Sequence, residues 1–315
     1  MNLRKNLWEF VVIGLAVTLA LSVYAEFDSL IRALSGFDWW LLPVVLGLTL
    51  LNQLLRFVKW EYLLRRIDVR LPPVTSLGIF GSGLIMILTP GKLGEVWKSW
   101  LIRDVTGSPV SATLPVVATE RITDLLGVVT ISTLGVVAFD YSPVFLLVVL
   151  LPVLGGIGFL QYERGCLRLI TALEGIPVVC RRIDDVRTLY LSSQDLLRPR
   201  PLAVTTLLST VSWGMECFAL WVVLSGFGAE VRVTVAAFVF AVSSILGALS
   251  LLPGGLGVTE GSMTGLLLLF DVPRVTAVSA TLITRAATLW FSAGLALLVY
   301  VTFQWQTMVD GVSSD

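Results

Sequence analysis

Long apolar runs separated by short polar segments form the main pattern of this chain. Six runs approach or exceed the roughly 20 residues that a helix needs to cross a bilayer. They cover residues 8–24, 37–57, 112–139, 144–160, 202–224 and 275–303. The first run follows two basic residues, as in a signal peptide, but its length favours an uncleaved helix. The pattern predicts an all-α, polytopic transmembrane helical bundle.

Two further apolar stretches, 76–89 and 233–252, each end at a proline–glycine break. The breaks comprise Pro90, Gly91 and Gly94 in the first case and Pro253, Gly254, Gly255 and Gly257 in the second. A proline alone would only kink a long helix, whereas the glycines remove side chains where the backbone could approach a ligand. Unwound backbone at membrane depth must line a cavity, because lipid cannot bond its amides. We therefore predict two broken or re-entrant helix hairpins.

The two breaks and their surroundings indicate an internal repeat. Pro90 and Pro253 lie 163 residues apart, and Arg121 and Arg285 lie 164 residues apart. Correspondences in the same order predict two units, each made of a span, a broken hairpin and a span. The chain is then a single integral membrane domain, 1–315, with repeat units at about 37–139 and 202–303.

Arginine and lysine indicate the orientation of the chain. They concentrate before the first span, in the segment that begins with Arg56 and Lys59, and at 162–200, which predicts cytoplasmic positions for these segments and for the amino terminus. The two units are then inverted, as in many transporters, although one miscounted span would make them parallel. Apolar residues at near-helical spacing predict a cytoplasmic amphipathic helix within 162–200. It lies on the membrane surface or packs on the ends of the spans.

Composition agrees with a membrane protein and excludes several kinds of chemistry. Only 14% of the residues are charged, against about 25% in soluble domains. Lysine plus arginine and aspartate plus glutamate both total 22, so the bulk charge predicts no nucleic-acid binding. The chain has no histidine, and its three cysteines have no CxxC spacing. We therefore expect no metal site and no cofactor.

Ionisable side chains within the apolar segments are the candidate functional residues. Each costs at least about 2.5 to 3.5 kcal/mol at the centre of a span, so each needs a partner, water or a purpose. They are Lys92, Glu95, Glu120, Arg121, Asp124, Glu216, Glu260 and Arg285. Glu120, Arg121 and Asp124 share one helix surface, which is either a buried ion pair that fixes packing or part of a site. The helix end after the first break, with Lys92 beside it, favours a phosphate, while the glutamates equally suit an ammonium group.

Several of these motifs together resemble the flippase-like membrane domain of lysylphosphatidylglycerol synthases. They are Arg56 with Lys59-Trp60, the break from Thr89 to Glu95, Glu120-Arg121 with Asp124, the break from Leu252 to Gly257 with Glu260, and Arg285. The resemblance covers nearly the whole chain. In bacterial members this module precedes a soluble aminoacyl-transferase domain and is thought to move the aminoacylated lipid between leaflets. Stand-alone members are similar to modules associated with glycosyltransferases that handle polyprenyl-linked sugars.

The resemblance implies that this chain is a lipid flippase or scramblase of the plasma membrane. Its substrate would be a phospholipid, an aminoacyl-phospholipid or a polyprenyl-phosphate-linked lipid, because the chain carries neither partner domain. Lys92, Arg121 and Arg285 would contact phosphate, and the carboxylates would neutralise them, bind a cationic headgroup or carry protons. The alternatives are a non-transporting partner of a glycosyltransferase and an intramembrane lipid-modifying enzyme. Enzyme activity is disfavoured because neither a histidine nor an activated nucleophile is evident.

Overall fold

The computed structural model describes residues 27–86, 94–138, 144–166 and 183–312, together with the single positions 17 and 168. These residues form twelve α-helices, and none of them lies in a β-strand. Three helical stretches, Trp39–Arg66, Pro199–Gly226 and Arg274–Thr302, are long and apolar enough to cross a membrane. The predicted all-α membrane bundle is therefore confirmed. Most of the predicted first span, and Pro90, Gly91 and Lys92 of the first break, lie outside the described residues.

The first half of the described chain contains six helices. They are α1 (Phe27–Ser35), α2 (Leu42–Arg66), α3 (Pro73–Ile85), α4 (Trp97–Thr106), α5 (Val110–Ala138) and α6 (Val144–Gln161). Prolines lie in the first turns of α2 and α3, where a helix has no amide hydrogen bond to lose. Helices α5 and α6 correspond to the predicted spans 112–139 and 144–160. Helix α2 continues well past residue 57, the end that its apolar run predicts.

The second half contains the other six helices. They are α7 (Ile183–Leu196), α8 (Pro199–Gly226), α9 (Val233–Leu249), α10 (Val258–Leu269), α11 (Arg274–Arg285) and α12 (Phe291–Val312). A π-helical stretch, Ala286–Trp290, joins α11 to α12 without a break. Helices α9 and α10 pack against each other, and the short turn Pro253–Gly255 separates them. The second break thus lies between two packed helices.

The long helices α2 and α8 end in the same kind of turn. Asp68 after α2 and Gly228 after α8 both have positive φ angles, 57° and 69°. In each turn the next amide donates back to the helix: Val69 N to Leu64 O at 3.1 Å, and Ala229 N to the carbonyl oxygen of Leu224 at 3.1 Å. The left-handed residue turns the chain so that this backward bond can form. A short apolar helix, α3 or α9, then follows in both halves.

The bundle buries charges and exposes apolar side chains, the reverse of a soluble protein. Helix α8 packs along α2, α5 and α9, and Leu220, Val223 and Met263 lie in the largest apolar core. On the outer surface, Leu54 of α2 and Leu207 of α8 expose more than half of their area. Lipid accepts such side chains at no cost, whereas backbone and charge must find partners inside the bundle.

Helix α7 lies within the predicted amphipathic segment 162–200. It packs against α5, and its Tyr190 and Leu196 are buried. The Ser111 hydroxyl of α5 donates to Asp185 Oδ1 at 3.0 Å. The described part of this segment therefore packs on the helical bundle, and residues 167 and 169–182 lie outside the described chain.

Candidate functional site

Charged side chains from three membrane-spanning stretches lie far from the ends of their helices. Arg56 lies ten residues before the end of Trp39–Arg66, and Glu216 lies ten residues before the end of Pro199–Gly226. Arg285 follows the start of Arg274–Thr302 by eleven residues. At 1.5 Å per residue, each is about 15 Å from the nearer end, which is close to the middle of a bilayer.

These three side chains line one cavity of about 350 Å³. Arg121 and Asp124 of α5 also reach it, so three guanidinium groups and two carboxylates line its wall. Asn52 and Gln53 of α2 add amide groups, while Leu125, Val128, Trp213 and Phe240 supply apolar surface. The turn of the second break closes one side through Gly254 and Gly255. The cavity thus combines charged and amide groups with apolar surface.

The Asp124 carboxylate contacts several of the cations around the cavity. Its Oδ1 lies 2.5 Å from Lys59 Nζ, and its Oδ2 lies 2.9 Å from Arg121 Nη2 and 3.9 Å from Arg56 Nη2. The Ser209 hydroxyl of α8 donates to the same carboxylate at 3.1 Å. One carboxylate therefore contacts three cations.

Behind the cavity wall lies a fully buried ion pair. Lys98 Nζ of α4 lies 2.6 Å from Glu120 Oε2 and 3.6 Å from Glu95 Oε2. The same ammonium group lies 4.5 Å from the centre of the Trp60 ring, a cation–π contact. Glu95 also lies 3.4 Å from Arg121, which links this pair to the cavity. Neither Lys98 nor Glu120 lines the cavity, so the pair holds α4 against α5.

A second arginine–glutamate pair stabilises the break between α9 and α10. Arg285 Nε donates to Glu260 Oε1 at 2.6 Å, and its Nη2 donates to the carbonyl oxygen of Gly254 at 2.7 Å. The other oxygen of Glu260 accepts the Gly257 amide at 2.7 Å and so caps the first turn of α10. Arg285 and Glu260 therefore satisfy backbone groups that the unwound segment leaves without helical partners.

The glycines of the second break allow two helices to touch. Gly255 has a φ of +66°, and a Cβ atom there would lie 2.5 Å from Thr259 Oγ1. A Cβ at Gly247 of α9 would collide with the same hydroxyl. Their lack of side chains therefore permits close packing of α9 on the start of α10, in addition to opening backbone toward the cavity.

Glu216 differs from Asp124, the other carboxylate that lines the cavity. It is 4% exposed, and its Oε2 has no hydrogen-bond partner among the described residues. Its electrostatic neighbours are Arg56 and Arg285. No cation of the described chain lies within 4.0 Å of its carboxylate, although Asp124 and Glu260 both form ion pairs. Glu216 thus faces the cavity as a buried acid without an ion pair.

The structure brings together four of the predicted site residues and separates others. Arg121, Asp124, Glu216 and Arg285 line one cavity. The remaining carboxylates, Glu95, Glu120 and Glu260, do not belong to its lining and bind Arg121, Lys98 and Arg285 respectively. Lys92 lies outside the described residues.

The charge pattern places Arg56 and Lys59 at the start of a segment predicted to be cytoplasmic, and the structure shows that both side chains lie inside the bundle. The two side chains are 6% and 0% exposed, because α2 remains helical past its apolar run and carries them inside the bundle. With Asn52 they follow the spacing i, i+4, i+7, which places all three on one helix face. That spacing is the signal in the sequence that identifies them as interior residues.

Comparison with known proteins agrees with this architecture. The sequence model described as "Lysylphosphatidylglycerol synthase TM region" matches residues 11–296. A UPF0104 membrane protein of Methanothermobacter thermautotrophicus is 26% identical over 308 residues, which cover 92% of this chain and 91% of that protein. UPF0104 membrane protein PH1989 of Pyrococcus horikoshii is 23% identical over 311 residues, 89% of this chain and 92% of the relative.

Proposed function

We infer that this chain, which belongs to the Lysylphosphatidylglycerol synthase TM region family, is a flippase or scramblase that moves a phosphate-bearing lipid between membrane leaflets. The observation that carries this proposal is the cavity of about 350 Å³, which holds five ionisable side chains near the middle of the bundle. Charges at that depth are costly and mark a path for a polar group. The lipid is a phospholipid, an aminoacyl-phospholipid or a polyprenyl-phosphate-linked lipid.

Arg56 is the group best placed to receive the phosphate. Its only ion pair among the described residues is the long 3.9 Å contact with Asp124, and its Nε has no hydrogen-bond partner there. Arg121 and Arg285, by contrast, each make an ion pair of 2.9 Å or less. A guanidinium group binds phosphate oxygens through two parallel hydrogen bonds, so a phosphate would satisfy the donors of Arg56.

Apolar side chains border the same cavity and suit the acyl chains of a lipid. Leu249 and Leu252 belong to its lining, and among the described residues they remain 56% and 46% exposed. The tails of a lipid would then lie against these leucines while its headgroup contacts the charged side chains of the cavity. This arrangement supports passage of the headgroup through the bundle without exposure to hydrocarbon.

Movement of fluorescent lipids between the two leaflets of a vesicle membrane tests the proposal. Purified protein is reconstituted with a trace of NBD-labelled phosphatidylglycerol, and dithionite added outside bleaches only the outer leaflet. We expect the protein to expose the inner pool to dithionite, and NBD-labelled glucosylceramide, which has no phosphate, to be a poor substrate. Equal rates for the two lipids would contradict headgroup recognition, and no movement of either would favour the accessory-protein alternative.

The matched substitution is Arg56→Gln, with Arg66→Gln as its control on the same helix. Losing charge-assisted hydrogen bonds worth about 1.5 to 3 kcal/mol should slow phosphatidylglycerol movement at least about tenfold. Arg66 is exposed and bonds only the Tyr62 hydroxyl among the described residues, so Arg66→Gln should transport at the normal rate. A normal rate in Arg56→Gln would exclude Arg56 as the phosphate contact.

A further inference from the structure

Helices α2 and α8 face each other through corresponding positions. Their matching turns, at Asp68 and Gly228, lie 160 residues apart. At that offset Asn52 corresponds to Ser212, and these two residues touch: Asn52 Nδ2 donates to the Ser212 carbonyl oxygen at 2.7 Å. Equivalent positions meet in this way where two copies of a unit pack around a two-fold axis.

One helical turn further along each helix, the same offset relates Arg56 to Glu216. The helices run antiparallel, since Asp38 N donates to the Gly226 carbonyl oxygen, so these two residues lie on opposite sides of the Asn52–Ser212 contact. A cation and an acid therefore occupy equivalent positions on the two facing helices, and both line the cavity. They influence each other electrostatically but are not within the 4.0 Å of an ion pair. Both side chains line the same cavity of about 350 Å³, which leaves room for a ligand atom or a proton.

The other charged groups around Glu216 are occupied by partners. From α5, Arg121 and Asp124 bind each other at 2.9 Å. From α11, Arg285 binds Glu260. Lys59 of α2 lies against Asp124.

Among the described residues, no carboxylate other than Asp124 lines the cavity beside Glu216. Helix α9 carries no ionisable side chain, and the neighbouring Cys217 thiol points to the Ala237 carbonyl oxygen at 3.7 Å. Among the described residues, Glu216 is thus the carboxylate of the cavity that lacks an ion pair, and Arg56 is the cation nearest to it on the facing helix.

We propose that Glu216 binds one proton for each phosphate-bearing headgroup that enters the cavity, so that proton and headgroup are bound together. This proposal rests on the proposed lipid transport and adds its coupling to pH. A phosphodiester at Arg56 brings one negative charge into the cavity that the Glu216 carboxylate also lines. Two like charges in one buried cavity repel, and taking a proton from water removes the repulsion. The carboxylate becomes a neutral acid, and the net charge of the cavity is unchanged.

Proton uptake on binding can be counted directly in the wild-type protein. Dihexanoyl phosphatidylglycerol, a soluble lipid, is added to protein in detergent and a weakly buffered solution near pH 7, and a pH dye reports proton uptake. We expect up to one proton to be taken up per lipid bound, and none with dihexanoylglycerol, which lacks the phosphate. Binding of the phospholipid without proton uptake would overturn the proposal.

The pH dependence of transport provides the second test. Because a phosphodiester keeps one charge between pH 6 and pH 8, a change in rate over this range reports on the protein. Linkage to one proton lowers headgroup binding by as much as about tenfold per pH unit as the pH rises. Glu216→Gln keeps the side chain at this position neutral at every pH. The rate of NBD-phosphatidylglycerol movement should therefore be the same at pH 6 and pH 8.

Glu230→Gln is the matched control, because Glu230 is exposed in the loop after α8 and should keep the wild-type pH dependence. A pH-dependent rate in Glu216→Gln equal to that of the wild type would assign the proton to another group. If the wild-type protein neither binds nor moves phosphatidylglycerol at any pH, the proposed function itself fails. If it moves the lipid at a rate independent of pH, only the role of Glu216 fails.

Discussion

Lys98→Met should strongly destabilise the fold, because it removes one charge of a fully buried pair. Lys98 Nζ lies 2.6 Å from Glu120 Oε2, and the two side chains are 2% and 0% exposed. Within the described chain, the Glu120 carboxylate has no other cation within 4.0 Å. Methionine nearly matches the lysine stem, which packs where Gly83 lacks a side chain, so the substitution mainly deletes charge.

The expected cost follows from leaving Glu120 buried without its partner. Breaking a buried ion pair from one side typically costs about 3 to 5 kcal/mol. Glu120→Gln should cost less, because Lys98 keeps Glu95 at 3.6 Å. The double variant Lys98→Met/Glu120→Gln removes both charges and should be less destabilised than the sum of the single variants by at least about 2 kcal/mol.

Unfolding in mixed micelles measures these differences. The fraction of sodium dodecyl sulfate in dodecyl maltoside is raised, and tryptophan fluorescence follows the transition. Arg66→Met, at an exposed position, serves as the control and should unfold as the wild type does. A cost below about 1 kcal/mol for Lys98→Met, or strictly additive costs in the double variant, would refute the buried-pair reasoning.

Two predictions concern the second break. Glu260→Gln should destabilise the protein by about 1.5 to 3 kcal/mol in the same unfolding assay. The glutamine side chain has one acceptor oxygen and so cannot accept hydrogen bonds from both Arg285 and the Gly257 amide at its two ends. Wild-type stability of this variant would contradict the capping role of Glu260. Gly255→Ala should cost about 1 to 3 kcal/mol, since its Cβ would meet Thr259 at a positive φ angle. Gly261→Ala on α10 is its control, because a Cβ there meets nothing within 4 Å, and equal stabilities of the two variants would contradict the packing argument.

Most of the fold is predictable from the sequence, because each of its signals is local. Apolar runs of membrane length predict the spans, and the cluster Pro253-Gly254-Gly255 predicts a break where α9 ends and α10 has not yet begun. The cost of burying charge in lipid also identifies Arg121 and Asp124 as interior residues. These features depend on backbone hydrogen bonding and on the hydrophobicity of each residue, and the sequence specifies both position by position.

The roles of the individual charges are decided by packing between distant helices. Lys98 pairs with Glu120 across 22 positions in the sequence. No local pattern shows that Glu120 pairs with Lys98 and not with the adjacent Arg121. Arg56 lies at the end of an apolar run and looks like a membrane-flanking residue, but α2 continues as a helix to Arg66 and the Arg56 side chain is buried in the bundle.

The sequence by itself determined that this chain is a helical membrane protein with interrupted segments and charges inside them, since hydrophobicity and backbone hydrogen bonding act on each segment separately. Only the tertiary structure decided that Glu260 caps a helix while Glu216 faces a cavity without an ion pair. The physical reason is that a buried charge is defined by its nearest partners, and the distances to those partners exist only once the helices have packed.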